Sequence, residues 1–536
     1  MMSLRPEVML KTGLKLGLAL MFLLSPGRLL LPGGELVTPK SGGEIRLKAF
    51  GKTLNRDFDP AGHGYPVVIE HIYDGLVRLD QNLEIFPALA DYWTVSEGGK
   101  RVLFYIRKGA LFHNGQEVTA EDVKFSLERL FRLKSNPLFY LLASRIEGGE
   151  EFWQGRADEV SGLKILDRKT IEIDWKFPGI TNFYFLAASF AKVLPKNLLL
   201  KEKGSFFEKP VGSGPFKFDY WLRNSRLDII GIRLTRNERY YGRKPYLQAI
   251  EISPYFLLDD FFRNEVHIVP YLSYRISTNK YQILENNSLH VVYLFFSNHL
   301  PPFDRPEVRQ ALRVFLDRKA LAALASSTSY YAQEMDSYLP PFLPGFWPKK
   351  EEEDLSLGRA LEILRAAGLG NSARPQVVKL YFEIPQKEIM TGLYTQLKES
   401  LLPAGIKLEL QGTSSLNYLR EEKVPYLVYF DWFMDVPDPE FLLYPLFHSG
   451  SFLNQTYLHY RNSGLDDLLE AQRLMPSFDR RIILFQQMEE VLHKEVPAMP
   501  LFYYKERLAY QPYLRNLKPQ TSGLFFVNLR NVWLDR

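Results

Sequence analysis

Beyond a Pro/Gly-rich joint at residues 32–43, the chain switches repeatedly between two hydrophobic periods, and that switching limits its fold more than any other feature. Ile171, Ile173 and Trp175 alternate with Glu172 and Asp174, and Ile406, Leu408 and Leu410 alternate with Lys407 and Glu409. This is the period of two of half-buried strands. Continuous apolar runs at 291–296 and 426–430 read instead as strands covered on both faces. Between them lie helices. Thr119-Ala120-Glu121-Asp122 is a capping-box variant, and Val123, Leu127, Leu130 and Phe131 then share one face. Pro306 opens a stripe of Val308, Ala311, Leu312, Phe315 and Leu316, and Leu484, Met488, Val491 and Leu492 form another. Strands and helices that interleave in this way make a mixed α/β protein and not a repeat array. With 536 residues, 46% of them hydrophobic, there is material for two or three packed domains.

Composition and motifs remove several function classes. With no cysteine, disulfides, thiolate metal sites and a cysteine nucleophile are all excluded. Sixty-seven Lys and Arg against 62 Asp and Glu leave a formal charge of +5 with no basic run, so nucleic acid is not an expected partner. There is no H-E-x-x-H, no G-x-S-x-G and no P-loop. Gly62-His63-Gly64 lacks the third glycine of a dinucleotide loop, and Gly212-Ser213-Gly214 runs into Pro215; both read as turns. The nine histidines are scattered singly, so no metal, cofactor or catalytic residue is expected. His113-Asn114-Gly115 reads as a structural histidine at a turn. Glu351-Glu352-Glu353-Asp354 reads as the solvated entry to a helix at 357–367.

At the N-terminus, Arg5, Lys11 and Lys15 precede the apolar run 16–24, which ends at Ser25-Pro26-Gly27. That order is a basic region followed by a hydrophobic one, as in a secretory signal or an uncleaved anchor, and the run is too short for a membrane span of roughly 20 residues. The body is expected to be soluble and extracytoplasmic.

From 73 to 129 the sequence reads IYDGLVRLDQNLEIFPALADYWTVSEGGKRVLFYIRKGALFHNGQEVTAEDVKFSLER. It resembles the family 5 extracellular solute-binding proteins of ABC importers, the peptide-binding group. Phe58-Asp59-Pro60 resembles that family's Leu-Asp-Pro turn, VGSGPFKF at 211–218 its Gly-Thr-Gly-Pro-Tyr segment, and Arg236-Asn237 with Tyr240-Tyr241 its R-N-x-x-Y-W. The order continues through PPFDRPEVRQALRVFLDRKAL at 301–321, LPGF at 343–346, DWFMDVPDPEFLL at 431–443 and Arg480 or Arg481, ending at Pro497-Ala498-Met499-Pro500-Leu501. The resemblance covers residues 44–536. It implies an α/β clam-shell like that of periplasmic binding proteins (type II, cluster C-like), with two lobes plus an extra domain. Residues 1–43 would be the signal or anchor segment and linker. Domain I would be assembled from 44–73, 208–291 and 502–536, domain II from 74–207 and domain III from 292–501.

The apolar strand at 426–430 delivers Asp431-Trp432-Phe433-Met434-Asp435 to its carboxyl end, which in α/β sheets borders the ligand crevice. A carboxylate among Trp432, Phe433 and Met434 is poorly solvated and favours a cation. In the peptide-binding group the matching Asp pairs with the ligand's α-ammonium, so the resemblance gives Asp435 that role. The alternative is that Asp435 caps the turn before Pro437-Asp438-Pro439. Trp432 either lines the pocket or belongs to the core. Asp438 reads as the turn-former. Phe433, Met434 and Val436 are bulkier or less polar than the family's usual residues, Asp431 stands for Gly, Phe216 for Tyr and His267 for Asp, which predicts a bulkier, more apolar pocket edge. The function implied is a non-enzymatic, monomeric receptor that takes short peptides in an interdomain cleft and delivers them to the permease. The same fold could hold a metal chelate, haem or a sugar, or serve a membrane-anchored sensor or chaperone. A hydrolase finds no nucleophile and base pair in the sequence.

Overall fold

The computed structural model describes residues 29–30, 36–50, 54, 56–62, 65–80, 83–271, 275–326, 330–348, 355–434, 436–475, 478–519 and 527–536. The N-terminal charged and apolar segment up to residue 28, His63-Gly64 and the acidic run 351–354 lie outside them. Strand β1 (Glu44–Lys48) buries alternate residues, Ile45 and Leu47, and α1 (Pro66–Ile72) starts at its proline. A compact unit follows, with β2 (Ala90–Ser96), β3 (Arg101–Ile106), α2 (Ala120–Leu133), α3 (Pro137–Arg145), β4 (Leu163–Asp167), β5 (Thr170–Asp174) and α4 (Thr181–Ala187). Its antiparallel sheet runs β2-β3-β5-β4. The predicted cap of α2 is present: the Thr119 N–H donates to Asp122 and the Asp122 N–H donates to Thr119 Oγ1. The core of this unit is drawn from residues 76–193, joined by Val436 and Phe441 from far along the chain.

The chain then builds β6 (Phe216–Arg223), β7 (Ile229–Arg236), β8 (Ala249–Ser253), β9 (Ile268–Pro270) and the long β10 (Gln282–Phe296). There follow α5 (Pro306–Arg313), α6 (Arg318–Ala325), β11 (Tyr330–Glu334), α7 (Leu357–Ala366), β12 (Gln376–Glu383), α8 (Lys387–Leu401), β13 (Ile406–Thr413) and β14 (Tyr426–Phe433). Last come α9 (Glu440–Phe447), α10 (Ser463–Arg473), α11 (Phe478–Glu495) and β15 (Ala498–Tyr510). The apolar stripe from Val308 does not stay helical to Leu316. After Arg313 the backbone tightens into i to i−3 bonds, and Asp317 caps α6 through the Ala320 N–H.

Outside the 90–193 unit the main sheet has eleven strands, in the order β6-β7-β8-β1-β9-β15-β10-β14-β12-β13, with β11 also paired to β15. Strands β10 and β15 run through both halves of it, and their pairing slips between Asn287 and Val291. On one side of that slip lies a core from residues 45–73, 194–268 and 508–534. On the other, alternate residues of β10 enter two different cores, Val292 and Leu294 one face and Val291 and Tyr293 the opposite face. That double covering is why the runs at 291–296 and 426–430 are continuously apolar.

The family-like glycines and His113 have structural work. A Cβ on Gly212 would stand 2.0 Å from the Ile72 carbonyl oxygen. His113 sits in its predicted turn, with the Gly115 N–H on the Phe112 carbonyl. Its ring accepts the Gly212 N–H on Nδ1 and donates from Nε2 to the Gly214 carbonyl at 3.1 Å, which ties the 90–193 unit to the large sheet. Gly212→Ala is expected to cost about 1–3 kcal/mol of unfolding free energy. Gly204→Ala, where the added carbon meets nothing within 4 Å, should stay within about 0.5 kcal/mol. Paired urea melts measure the difference.

Candidate ligand-binding cleft

Strand β14 pairs antiparallel with β10 from Leu427 to Phe433, but with β12 only from Tyr426 to Val428. Beyond Val428, β12 and β14 part, and no strand among the described residues pairs the outer edge of residues 429–433. A sheet edge left open in this way offers backbone donors and acceptors to an extended chain.

The side chains along that edge divide between its faces. Asp431 is half-buried and accepts from His290 Nε2 on β10. Burial alone would lower the His290 pKa; the Asp431 carboxylate outweighs it and raises the imidazole above its ordinary value. The His290 ring lies 4.5 Å from that of Tyr504. On β12, burial and the nearby Asp431 charge both raise the Glu383 carboxyl. Trp432 faces the other way, lying 6.0 Å from Phe430 in near-parallel stacking and donating from Nε1 to the Phe441 carbonyl at 3.2 Å. It touches both the 76–193 core and the core of the opposite unit. Phe433 is half-buried, 6.3 Å from the His290 ring. Met434 is 0% exposed and its N–H bonds the Leu289 carbonyl. Asp435 lies outside the described residues. Val436 is also buried, so the extra bulk of Met434 and Val436 goes into packed cores, and Phe433 alone of those three substitutions keeps exposed surface.

The turn that follows is held by charge. Asp438 accepts the Glu440 N–H, as a turn-former does, and also both terminal nitrogens of Arg481 at 2.9 Å each. Glu440 in turn meets Arg145 at 2.8 Å and Arg473 at 3.1 Å. Burial pushes Arg145 down to about 10 against the pull of Glu440. The sequence marks Asp438 as a turn residue and Arg480 or Arg481 as a family landmark, but not the pairing of Asp438 with Arg481; Glu440 lies in the 431–443 block with no role attached, and Arg145 and Arg473 carry no motif signal. Among the described residues no group of His, Asp or Glu could hold a metal ion, and no helix is long and apolar enough to cross a membrane.

Known proteins share this architecture. The chain is 25% identical over 477 residues to the dipeptide-binding protein of Escherichia coli (strain K12), covering 83% of this chain and 86% of that one. It is also 25% identical to heme-binding protein A of Haemophilus influenzae, over 83% and 84% of the two chains. The crystal structure of Haemophilus influenzae OppA in complex with RPPGFSPFR superposes with a TM-score of 0.73 at 19% identity, covering 93% of this chain and 99% of that one. Such a likeness carries the two-lobed clam-shell with its extra domain. The family model described as bacterial extracellular solute-binding proteins, family 5 middle, matches residues 84–454, more than half of the chain. This chain therefore belongs to the family 5 bacterial extracellular solute-binding proteins.

Proposed function

We propose that the protein is the solute receptor of an ABC importer, that it takes a short peptide in extended form, and that it converts nothing. The observation that carries this reading is the open edge of β14 at residues 429–433. A peptide backbone satisfies such an edge whatever its side chains are, which suits a receptor for many sequences. Similarity to dipeptide-binding and peptide-complexed proteins supports the same ligand class. Asp435, two residues past that edge in sequence, is the counter-ion of the peptide's α-ammonium, with Trp432 and Phe433 flanking the backbone and Met434 supporting them from the core. The three units follow the boundaries 44–73 with 208–291 and 502–536, 74–207, and 292–501. Residues 1–43 direct the chain out of the cytoplasm, and a monomer presents its two lobes to the permease.

Calorimetric titration with tri- and tetrapeptides tests this. Asp435→Asn is expected to weaken binding by one to two decades, the size of a charge-assisted hydrogen bond of about 1.5–3 kcal/mol. N-acetylated peptides should lose the same amount on the unaltered protein and nothing further on Asp435→Asn. Equal affinity for free and acetylated peptides would remove the ammonium role. No heat with any peptide would remove the ligand class.

A further inference from the structure

The charges around Asp438 and Glu440 do more than shape a turn. Arg145, at the end of α3, donates from Nε to Asn182 at 2.7 Å and pairs with Glu440 on α9. Arg473 on α10 donates to the Ser144 hydroxyl at 3.0 Å, and the Thr181 hydroxyl donates to Asp438. The Asn182 bond fixes the Arg145 side chain within its own unit; the other three links join the 74–207 unit to the 292–501 unit. The side chains of Arg145 and Glu440 are 1% and 0% exposed. Beside them Phe441 is driven into the core of the 74–207 unit, its ring 4.2 Å from that of Phe185, and Val436 lies in the same core.

These two units share no direct chain connection. Unit 74–207 is tethered at both ends to the lobe built on β1 and β6–β9, and that lobe reaches the 292–501 lobe through the long strands β10 and β15. When the shell flexes about those two strands, the untethered interface is the one free to part. Buried ion pairs stand near balance against hydration of the separated charges. Burial of Phe441 and Val436 then adds a net preference for the joined form. The guanidinium pairings admit one docking register.

We propose that this interface is a lock, with Arg145 as its central positioning residue, which holds the protein closed when no ligand is bound. A ligand then has to supply only the contacts made in the closed state and not the whole of closure. The inference rests on the clam-shell receptor reading, and not on the ligand being a peptide.

The absence of native cysteine makes the test direct. Spin labels at Arg156→Cys and Asp467→Cys, both exposed, report the distance between the two units by pulsed electron resonance without ligand. Labels at Arg156→Cys and Lys209→Cys serve as the control across the tethered interface. The protein with native Arg145 is expected to give one short, narrow distance. Arg145→Met and, more conservatively, Glu440→Gln should each move it to longer, broader distances with the control unchanged. A long, broad distribution already present with native Arg145 overturns the lock. So does a short distance that both variants retain, and so does a control that changes with them, since that would make Arg145 a requirement of the unit's fold and not of closure.

Discussion

Arg481→Met is expected to destabilise the protein by about 3–5 kcal/mol, the usual cost of leaving one member of a buried ion pair alone. The pair is 3% and 0% exposed, and Asp438 accepts two parallel bonds from the guanidinium. Burial pushes the Asp438 carboxyl up; Arg481 outweighs this and holds it below the ordinary carboxylate range. Without the guanidinium, burial prevails and the carboxyl takes a proton on folding. The deficit of the variant should therefore be largest at neutral pH and narrow below about pH 5. Adding Asp438→Asn to Arg481→Met removes the stranded charge and should recover more than half of the loss. Urea melts of the two single variants and the double variant check all three expectations. Equal melts for Arg481→Met and the native sequence would mean that Asp438 finds another partner.

The same residues show what could and could not be read in advance. Strands such as 170–174 and 406–413 are half-buried, so their neighbours in sequence alternate and betray them; the helix starting after Thr119 announces itself through a cap four residues long. Such signals are local. Arg145 looks like any solvated helical arginine, because the partner that buries it, Glu440, is 295 residues away. The open edge of β14 was equally invisible: strand 426–433 is plain in the sequence, whereas the point at which β12 leaves it depends on the packing of both. Met434 and Val436 stand out in the sequence as bulkier or less polar than the usual residues of the resembled block, which points to a pocket edge, whereas the two cores that meet there bury them.

Acidification should begin to weaken the fold through its buried histidines above the ordinary carboxylate range. His71 is buried between two segments, donating from Nδ1 to the Val67 carbonyl and accepting the Leu529 N–H on Nε2 at 2.9 Å. Burial, only partly offset by the Val67 bond, pushes its pKa down to about 4 from 6.5. The unfolded chain takes up a proton near pH 6.5 that folded His71 refuses until about pH 4. The His71 contribution is therefore complete above 6.5 and falls as the pH drops from 6.5 to 4, by about 3 kcal/mol. Burial holds His113 and His267 at about 4 as well, which deepens the loss over the same window. His290, raised by Asp431, works in the opposite direction, and so does Glu489, whose carboxyl is pushed up to about 8 by burial. His71→Gln can keep one donor and one acceptor without titrating, so it should flatten the pH dependence of urea midpoints between 6.5 and 4. An unchanged slope in that variant would clear His71 of the effect.

The first lobe is closed by residues from opposite ends of the body. His71 waits for Leu529, 458 positions later, and Asp74 for Arg530, 456 positions later. At synthesis rates of about 5–20 residues per second, that interval is on the order of half a minute to a minute and a half. Strands β8 and β9, which flank β1, are made within that interval, but the core of this lobe still lacks residues 508–534, and contacts this distant in sequence form slowly even once they are made. In a family of extracellular solute-binding proteins, a first lobe whose core closes only with residues 508–534 leaves the nascent chain short of one complete lobe until those residues are made.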